Sequence, residues 1–381
     1  VRIYLLLMAI AAAVTYLATP LARSLAQKVH AVTPVRSRDV HSVPTPRLGG
    51  VAMFAGLVVA MVVASTMPFL ETVFADGLPW AILGCAGLVC LLGVADDIWD
   101  LDWITKLIGQ MLAAGLLAWQ GVQLITFPIF GLTIGSSRLS LIATVVVVVV
   151  VINAVNWVDG LDGLAAGLMA IGGAAFFIYS YMLTRTDNPT DYSNLATVVI
   201  ACLVGVCLGF LPHNFHPASL FMGDSGAMFL GFTVSAAAIV VTGQIDPAVL
   251  TTTTALPAFL PLLLPFAVLL LPLLDMVITT MRRLAKGHSP FHADRTHLHH
   301  RLLDFGHSHR NAVLIMYTWA TLIAFSAAAL AIFPGVWVAV VTGIGLLLAI
   351  GVTVRLPRAA RARAQSPATA SPSSDPASPR S

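Results

Sequence analysis

The chain has 381 residues, of which 58% are hydrophobic and only 10% charged, with a mean hydropathy of +0.90. Soluble domains carry about 25% charged residues, so this composition excludes an ordinary soluble protein and predicts an all-α polytopic membrane protein. A formal net charge of +3, with no basic block in a soluble domain, excludes nucleic acid as a partner.

In chain order, hydropathy predicts about eleven membrane spans, near 3–22, 48–68, 79–95, 105–120, 139–155, 163–183, 195–212, 226–242, 255–281, 312–333 and 335–354. The first has no small-x-small site after it and many spans follow, so it reads as a transmembrane helix and not a secretory signal. Between spans four and five, 121–138 is apolar but broken by Pro128 and glycines, and reads as a short extracytoplasmic hairpin. The ninth span holds Pro257, Pro261, Pro265 and Pro272, which predict kinks. Residues 1–355 read as a single transmembrane domain, and the Ser/Pro/Ala-rich segment 356–381 reads as a disordered cytoplasmic tail. Four cysteines, Cys85, Cys90, Cys202 and Cys207, lie inside apolar runs and read as small buried residues.

With the N-terminus outside and the C-terminus cytoplasmic, all but three of the 20 basic residues (Arg2, Arg138 and Arg185) fall on the cytoplasmic side. The same orientation gathers the unusual polar stretches on that face. They are HSVPTPRLGG (41–50), DDIWDLD (96–102), NAVNWVDGLDGLAAG (153–167), LPHNFHPASLFMGDSGAMFLG (211–231) and SPFHADRTHLHHRLL (289–303).

Charge at a greasy helix end needs a reason, because a carboxylate at the bilayer centre costs about 2.5–3.5 kcal/mol on insertion scales. Adjacent Asp96 and Asp97 raise each other's proton affinity unless a cation holds them ionised, and carboxylate oxygens suit Mg²⁺. Asp100 lies one turn beyond Asp96 and faces the same space if the helix continues. Asn153, Asn156, Asp159 and Asp162 recur every three residues, which on a helix keeps them on one drifting face. Asp224, in GDSG, opens a helix and reads as an N-cap or part of a phosphate site. Arg295, His297, His299 and His300 suit phosphate better than zinc, since no thiolate or fourth ligand accompanies them. His307 and His309 read as a solvated loop. A transporter would place its acids near the midplane with repeat symmetry, which is absent here. A metallohydrolase would want H-E-x-x-H, and the single glutamate is Glu71, in an outside loop.

The motifs TPRLGG, DDIWD, NAVNWVDGLDGLAAG, FMGDSGAMFLG and HADRTHLHHRLL, in this order over residues 41–303, resemble those of the polyprenyl-phosphate N-acetylhexosamine-1-phosphate transferases. The DRTHLHH run is similar to the WecA/TagO-like branch, which uses UDP-GlcNAc or a related UDP-hexosamine; the phospho-MurNAc-pentapeptide transferases are the alternative within the superfamily. The Ala/Val/Arg-rich composition suits an actinobacterium, for which the resemblance implies decaprenyl phosphate as acceptor. It further implies an enzyme of the plasma membrane with its site on the cytoplasmic face, starting lipid-linked cell-wall glycan synthesis, with Mg²⁺ as cofactor (Mn²⁺ substituting) and a homodimer as an option. By motif match, Asp224, Asn156 and Asp97 would hold the metal. Asp96, Asp97, Asp159 and Asp162 would be catalytic, with Asp96 and Asp97 positioning metal and lipid phosphate. Asn156, Asn214, Phe221, Arg295, His297, His299, His300 and Arg47 would bind substrate, Phe221 by stacking on uracil.

Overall fold

The computed structural model describes residues 1–33, 44–124, 136–187, 194–243, 281, 307–330 and 333–365. Its helices are α1 (Arg2–Lys28), α2 (Gly49–Ser65), α3 (Glu71–Phe74), α4 (Leu78–Trp99), α5 (Trp103–Trp119), α6 (Ser137–Val158), α7 (Leu164–Asp187), α8 (Leu195–Asn214), α9 (Gly223–Gly243), α10 (His309–Ala329) and α11 (Gly335–Gln365). A two-residue antiparallel ribbon, β1 (Val32–Thr33) with β2 (Thr45–Pro46), links α1 to α2.

Among the described residues, seven helices are long and apolar enough to cross a membrane: α1, α4, α6, α7, α8, α9 and α10. An eighth crossing results if α2 and the 94° bend after it count as one span, and α5 and α11 add shorter apolar helices. The chain is therefore a multi-pass membrane protein, and ten of the eleven expected spans fall on these helices. The ninth, 255–281, lies outside the described residues, as do most of the expected hairpin and residues 366–381. The boundary expected at 356 falls inside α11, which runs on to Gln365.

Local propensity does not decide these helices. Val145–Val151 is an unbroken β-branched run, yet it lies within α6. A bilayer offers the backbone no hydrogen-bond partner, so a spanning segment satisfies its own N–H and C=O groups by coiling. Packing then depends on close approach, because lipid is as apolar as the helices. Gly205 and Gly209, one turn apart on α8, lie against the backbone of α1, where added Cβ atoms would come within 2.3 Å of the Met8 carbonyl oxygen and 2.2 Å of the Ala12 carbonyl oxygen. In α9, 89% of the apolar window is buried, against 28% in α1, so α9 is the axis about which α2, α4, α6 and α8 pack. All four cysteines are buried and free.

Exposed tryptophans mark the two ends of the bundle. Trp99, Trp103 and Trp157 stand at the end where α4 finishes, α5 starts and α6 finishes; Trp80, Trp119 and Trp337 stand at the other. Indoles prefer the membrane–water interface. Trp80 and Trp99 are separated by about 28 Å of α4 at 1.5 Å per residue, close to the ~30 Å hydrocarbon thickness.

Candidate active site

The expected polar motifs meet at the Trp99–Trp103–Trp157 end. Helix α4 stops at Trp99 because Asp100 turns left-handed, with φ of 54°. Asp100 therefore leaves the helix and is exposed, so it does not share the space of Asp96 as the sequence suggested. Asp102 caps the next helix, accepting from Ile104 N and Thr105 N at 3.0 Å each. Those bonds, with the Thr105 hydroxyl foremost, hold the Asp102 carboxyl below its ordinary range. The D-x-D spacing thus makes a tight corner, which brings Lys106, in the first turn of α5, back over Asp96.

Asp97 does something the sequence did not show. Its Oδ1 accepts the Asp224 N–H at 2.9 Å and its Oδ2 the Ser225 N–H at 3.1 Å. These are orphan donors of the first turn of α9, so Asp97 is an N-cap supplied from another helix. Asp224 itself is not the cap and is left free for chemistry. The cap fits only because residue 223 is glycine: its φ is +71°, and a Cβ there would lie 2.4 Å from Asp97 Oδ2. Left-handed backbone costs an L-residue about 1–2 kcal/mol before that clash. Gly223→Ala should lower the thermal midpoint in detergent and the rate together; an unchanged midpoint and rate would show the Asp97 cap to be dispensable.

Asp224 is partly exposed and stands at the centre. Lys106 Nζ is 3.3 Å from Asp224 Oδ2 and 3.1 Å from Asp96 Oδ2. Asn156, near the end of α6, hydrogen-bonds to the Asp224 side chain. The Asp96 and Asp224 carboxyl groups also lie within hydrogen-bonding reach of each other, a contact that only a shared proton or a cation makes favourable. Asp96 is buried, and no donor among the described residues reaches its Oδ1. Lys106 was missed in the sequence as a site residue. Its signal was available: the chain has three lysines, and this one follows the D-x-D by four residues.

The third motif divides at the helix end. Helix α6 stops at Val158, so only Asn153 and Asn156 obey the helical spacing. Asn153 turns aside and donates to Gln110 Oε1 at 2.7 Å. Asp159 ends α6 beside the cluster; burial first, and then the charges of Asp224, Asp97 and Asp162, push its carboxyl up to about 7. Asp162 is 2% exposed, and its Oδ2 accepts from Ala218 N at 3.1 Å. Asn214 is 1% exposed; its Oδ1 accepts the Gly163 N–H at 3.1 Å and its Nδ2 donates to the Leu220 carbonyl at 3.0 Å. Both side chains are committed to holding loops, with Asp159 the more open member of the motif.

The first and fourth motifs are joined by backbone. Phe221 N donates to the Pro46 carbonyl at 2.8 Å, the Phe221 carbonyl accepts from Gly49 N at 3.0 Å, and Arg47 pairs with Phe221 as a parallel bridge. Arg47 and Phe221 are thereby neighbours, both partly exposed, with Phe221 three residues before Asp224. Arg295, His297, His299 and His300 lie outside the described residues. His309 is not solvated as expected: it is 8% exposed and its Nε2 accepts the Asp162 N–H at 3.2 Å.

Paired carboxylates, an amide and an ammonium thus meet at the head of a buried helix, level with the exposed tryptophans of that end, in an arrangement suited to a divalent cation and to phosphate. Residues 79–242 match the family model of glycosyl transferase family 4, and the chain belongs to that family. Over 315 residues it is 42% identical to the decaprenyl-phosphate N-acetylglucosaminephosphotransferase of Mycolicibacterium smegmatis, covering 81% of this chain and 77% of the relative. It is 40% identical to the protein of that name from Mycobacterium leprae, with 81% and 79% covered. Against the probable undecaprenyl-phosphate N-acetylglucosaminyl 1-phosphate transferase of Bacillus subtilis it is 32% identical over 303 residues, with 78% and 77% covered.

Proposed function

We propose that this protein transfers N-acetylglucosamine 1-phosphate from UDP-GlcNAc to a polyprenyl phosphate, decaprenyl phosphate by similarity to its mycobacterial relatives, and so starts a lipid-linked glycan. An oxygen of the lipid phosphate attacks the β-phosphorus of the donor, the bond from that phosphorus to the bridging oxygen breaks, and UMP leaves with the electron pair. Such a reaction gathers several negative charges, so its protein contribution is positioning and neutralisation. The observation that carries the reading is the meeting of Asp96, Asn156, Lys106 and Asp224 at the head of α9.

The donor set fits a hard divalent cation, Mg²⁺ with Mn²⁺ substituting: oxygen ligands, a buried Asp96 Oδ1 that no donor among the described residues satisfies, and a surplus of carboxylates. Asp224, Asp96 and Asn156 would hold it, while Asp97, both of whose oxygens take backbone N–H groups, would hold Asp224 in place. When bound, the cation neutralises charge on the phosphates and their transition state. Lys106 adds a fixed positive charge beside them. Arg47 and Phe221 would meet the nucleotide end of the donor, and Arg295, His297, His299 and His300, by motif match alone, would meet its phosphates or sugar.

The topology we propose has eleven spans, the N-terminus outside and the site on the cytoplasmic side, where UDP-sugars are. Two observations support it. Most basic residues fall to that side. Gly243, beside Gln123 at the far end, and His309, beside Asp162 at the site end, stand at opposite ends of the bundle, which an eleven-span chain requires.

The test is an assay in membranes with radiolabelled UDP-GlcNAc and added polyprenyl phosphate. Labelled lipid and UMP should appear in equal amounts, chelation should abolish both, and Mg²⁺ should restore them. Label transferred from UDP-MurNAc-pentapeptide but not UDP-GlcNAc would replace the donor assignment, and chelator-resistant transfer would remove the metal.

A further inference from the structure

The loop 159–163, DGLDG, carries two glycines and should be mobile unless tied. Two segments far away in sequence tie it. From the α8–α9 connection, His216 Nδ1 lies 2.8 Å from Asp162 Oδ2. From the first turn of α10, His309 Nε2 accepts the Asp162 N–H at 3.2 Å and its ring stacks on His216, centroids 4.3 Å apart and planes 16° from parallel. Arg310 Nε donates to the His216 carbonyl at 3.1 Å, fixing that histidine's backbone to α10. Two turns further along, the Tyr317 hydroxyl donates to the Gly163 carbonyl.

A metal centre is the other reading of this group, since ligand atoms of Asp162, His216 and His309 lie within 4.8 Å of one another. The bonding argues against it. The His309 Nε2 lone pair is taken by the Asp162 N–H, His216 Nδ1 is bonded to the carboxylate, and nearly parallel stacked rings do not aim their lone pairs at one ion. The group grips a loop. Asp159, at the other end of that loop, faces the Asp224 cluster.

We propose that His216, His309 and Tyr317 are positioning residues that clamp the loop 159–163 through Asp162 and Gly163, and so set where Asp159 and Gly160 meet the nucleotide side of the donor. The catalytic half of this rests on the function proposed above; the clamp itself does not. The experiment uses the purified full chain in detergent, with hydrogen–deuterium exchange of the peptide over 158–164 and donor kinetics, for His309→Ala, His309→Gln and Tyr317→Phe. In His309→Ala, exchange of that peptide should quicken about tenfold with the rest of the protein unchanged. The UDP-GlcNAc KM should rise about tenfold while kcat falls less than about threefold. Glutamine can offer an oxygen near the Nε2 position, so His309→Gln should recover most of both losses. Tyr317→Phe, which removes only a hydroxyl, should quicken the same peptide and raise KM in the same sense, and it decides the matter if His309→Ala does not fold. Unchanged exchange in the alanine variant, faster exchange throughout the protein, or glutamine no better than alanine would overturn the clamp. A wild-type protein that transfers nothing from UDP-GlcNAc would sink the proposed function, and the exchange data alone would then decide the clamp.

Discussion

Asp224→Asn should reduce transfer at least about a thousandfold, roughly 4 kcal/mol of transition-state stabilisation, while the protein should still insert and purify in normal amounts. The substitution keeps the shape of the side chain and removes its charge. The backbone N–H of residue 224 still reaches Asp97 Oδ1, so the head of α9 keeps its cap. What is lost is the negative charge that pairs with Lys106, together with one of the two acceptor oxygens, and with that charge the centre to which the proposed divalent cation would bind. The measurement is the initial rate of labelled-lipid formation at matched protein amounts. A rate within about tenfold of wild type would place the phosphate chemistry at other residues.

Lys106→Met should cost about a hundredfold in kcat, the scale seen when one preorganised charge stabiliser is removed. Lys106 lies between Asp96 and Asp224, so its loss leaves two carboxyl groups facing each other without the ammonium that both contact. The flexible apolar stem of methionine keeps most of the volume, which separates charge from packing. The double variant Asp96→Asn/Lys106→Met is the sharper measurement. Residues in one charged network couple, so the pair should lose less than the product of the two single losses. Strictly multiplicative losses would show that the salt bridge has no part in catalysis.

Hydropathy was enough to find the helices, because the bilayer leaves a spanning backbone one choice even across the run of seven valines, Val145–Val151, in α6. It was also enough to find the aspartates: charge is scarce in this chain, and each cluster needed an explanation. Roles within the cluster were less legible. Asp96 and Asp97 are neighbours of one residue type, yet one is partnered by Lys106 and the other caps a helix 127 residues downstream. No local pattern tells them apart; the difference is made by which way α4 faces α9, a contact permitted by Gly93, where a Cβ would lie 2.4 Å from the Ser225 backbone. Asn214 and Asp162 read in sequence as site residues; what the sequence did not show is that each also holds loop backbone, which depends on partners distant along the chain. His309 reads in sequence as part of a solvated loop with His307, yet Ser308 is the N-cap of α10 and the histidine follows it into the bundle.

The cap that Asp97 gives to α9 has a consequence for how the protein is made. A chain emerging from the ribosome inserts α4 long before α9 exists, so for that interval its two aspartates wait at the membrane surface with neither the amides nor the third carboxylate they will later meet. The cluster of Asp96, Asp97 and Asp224 is complete only once α9 docks against α4, so a chain halted before α9 lacks it.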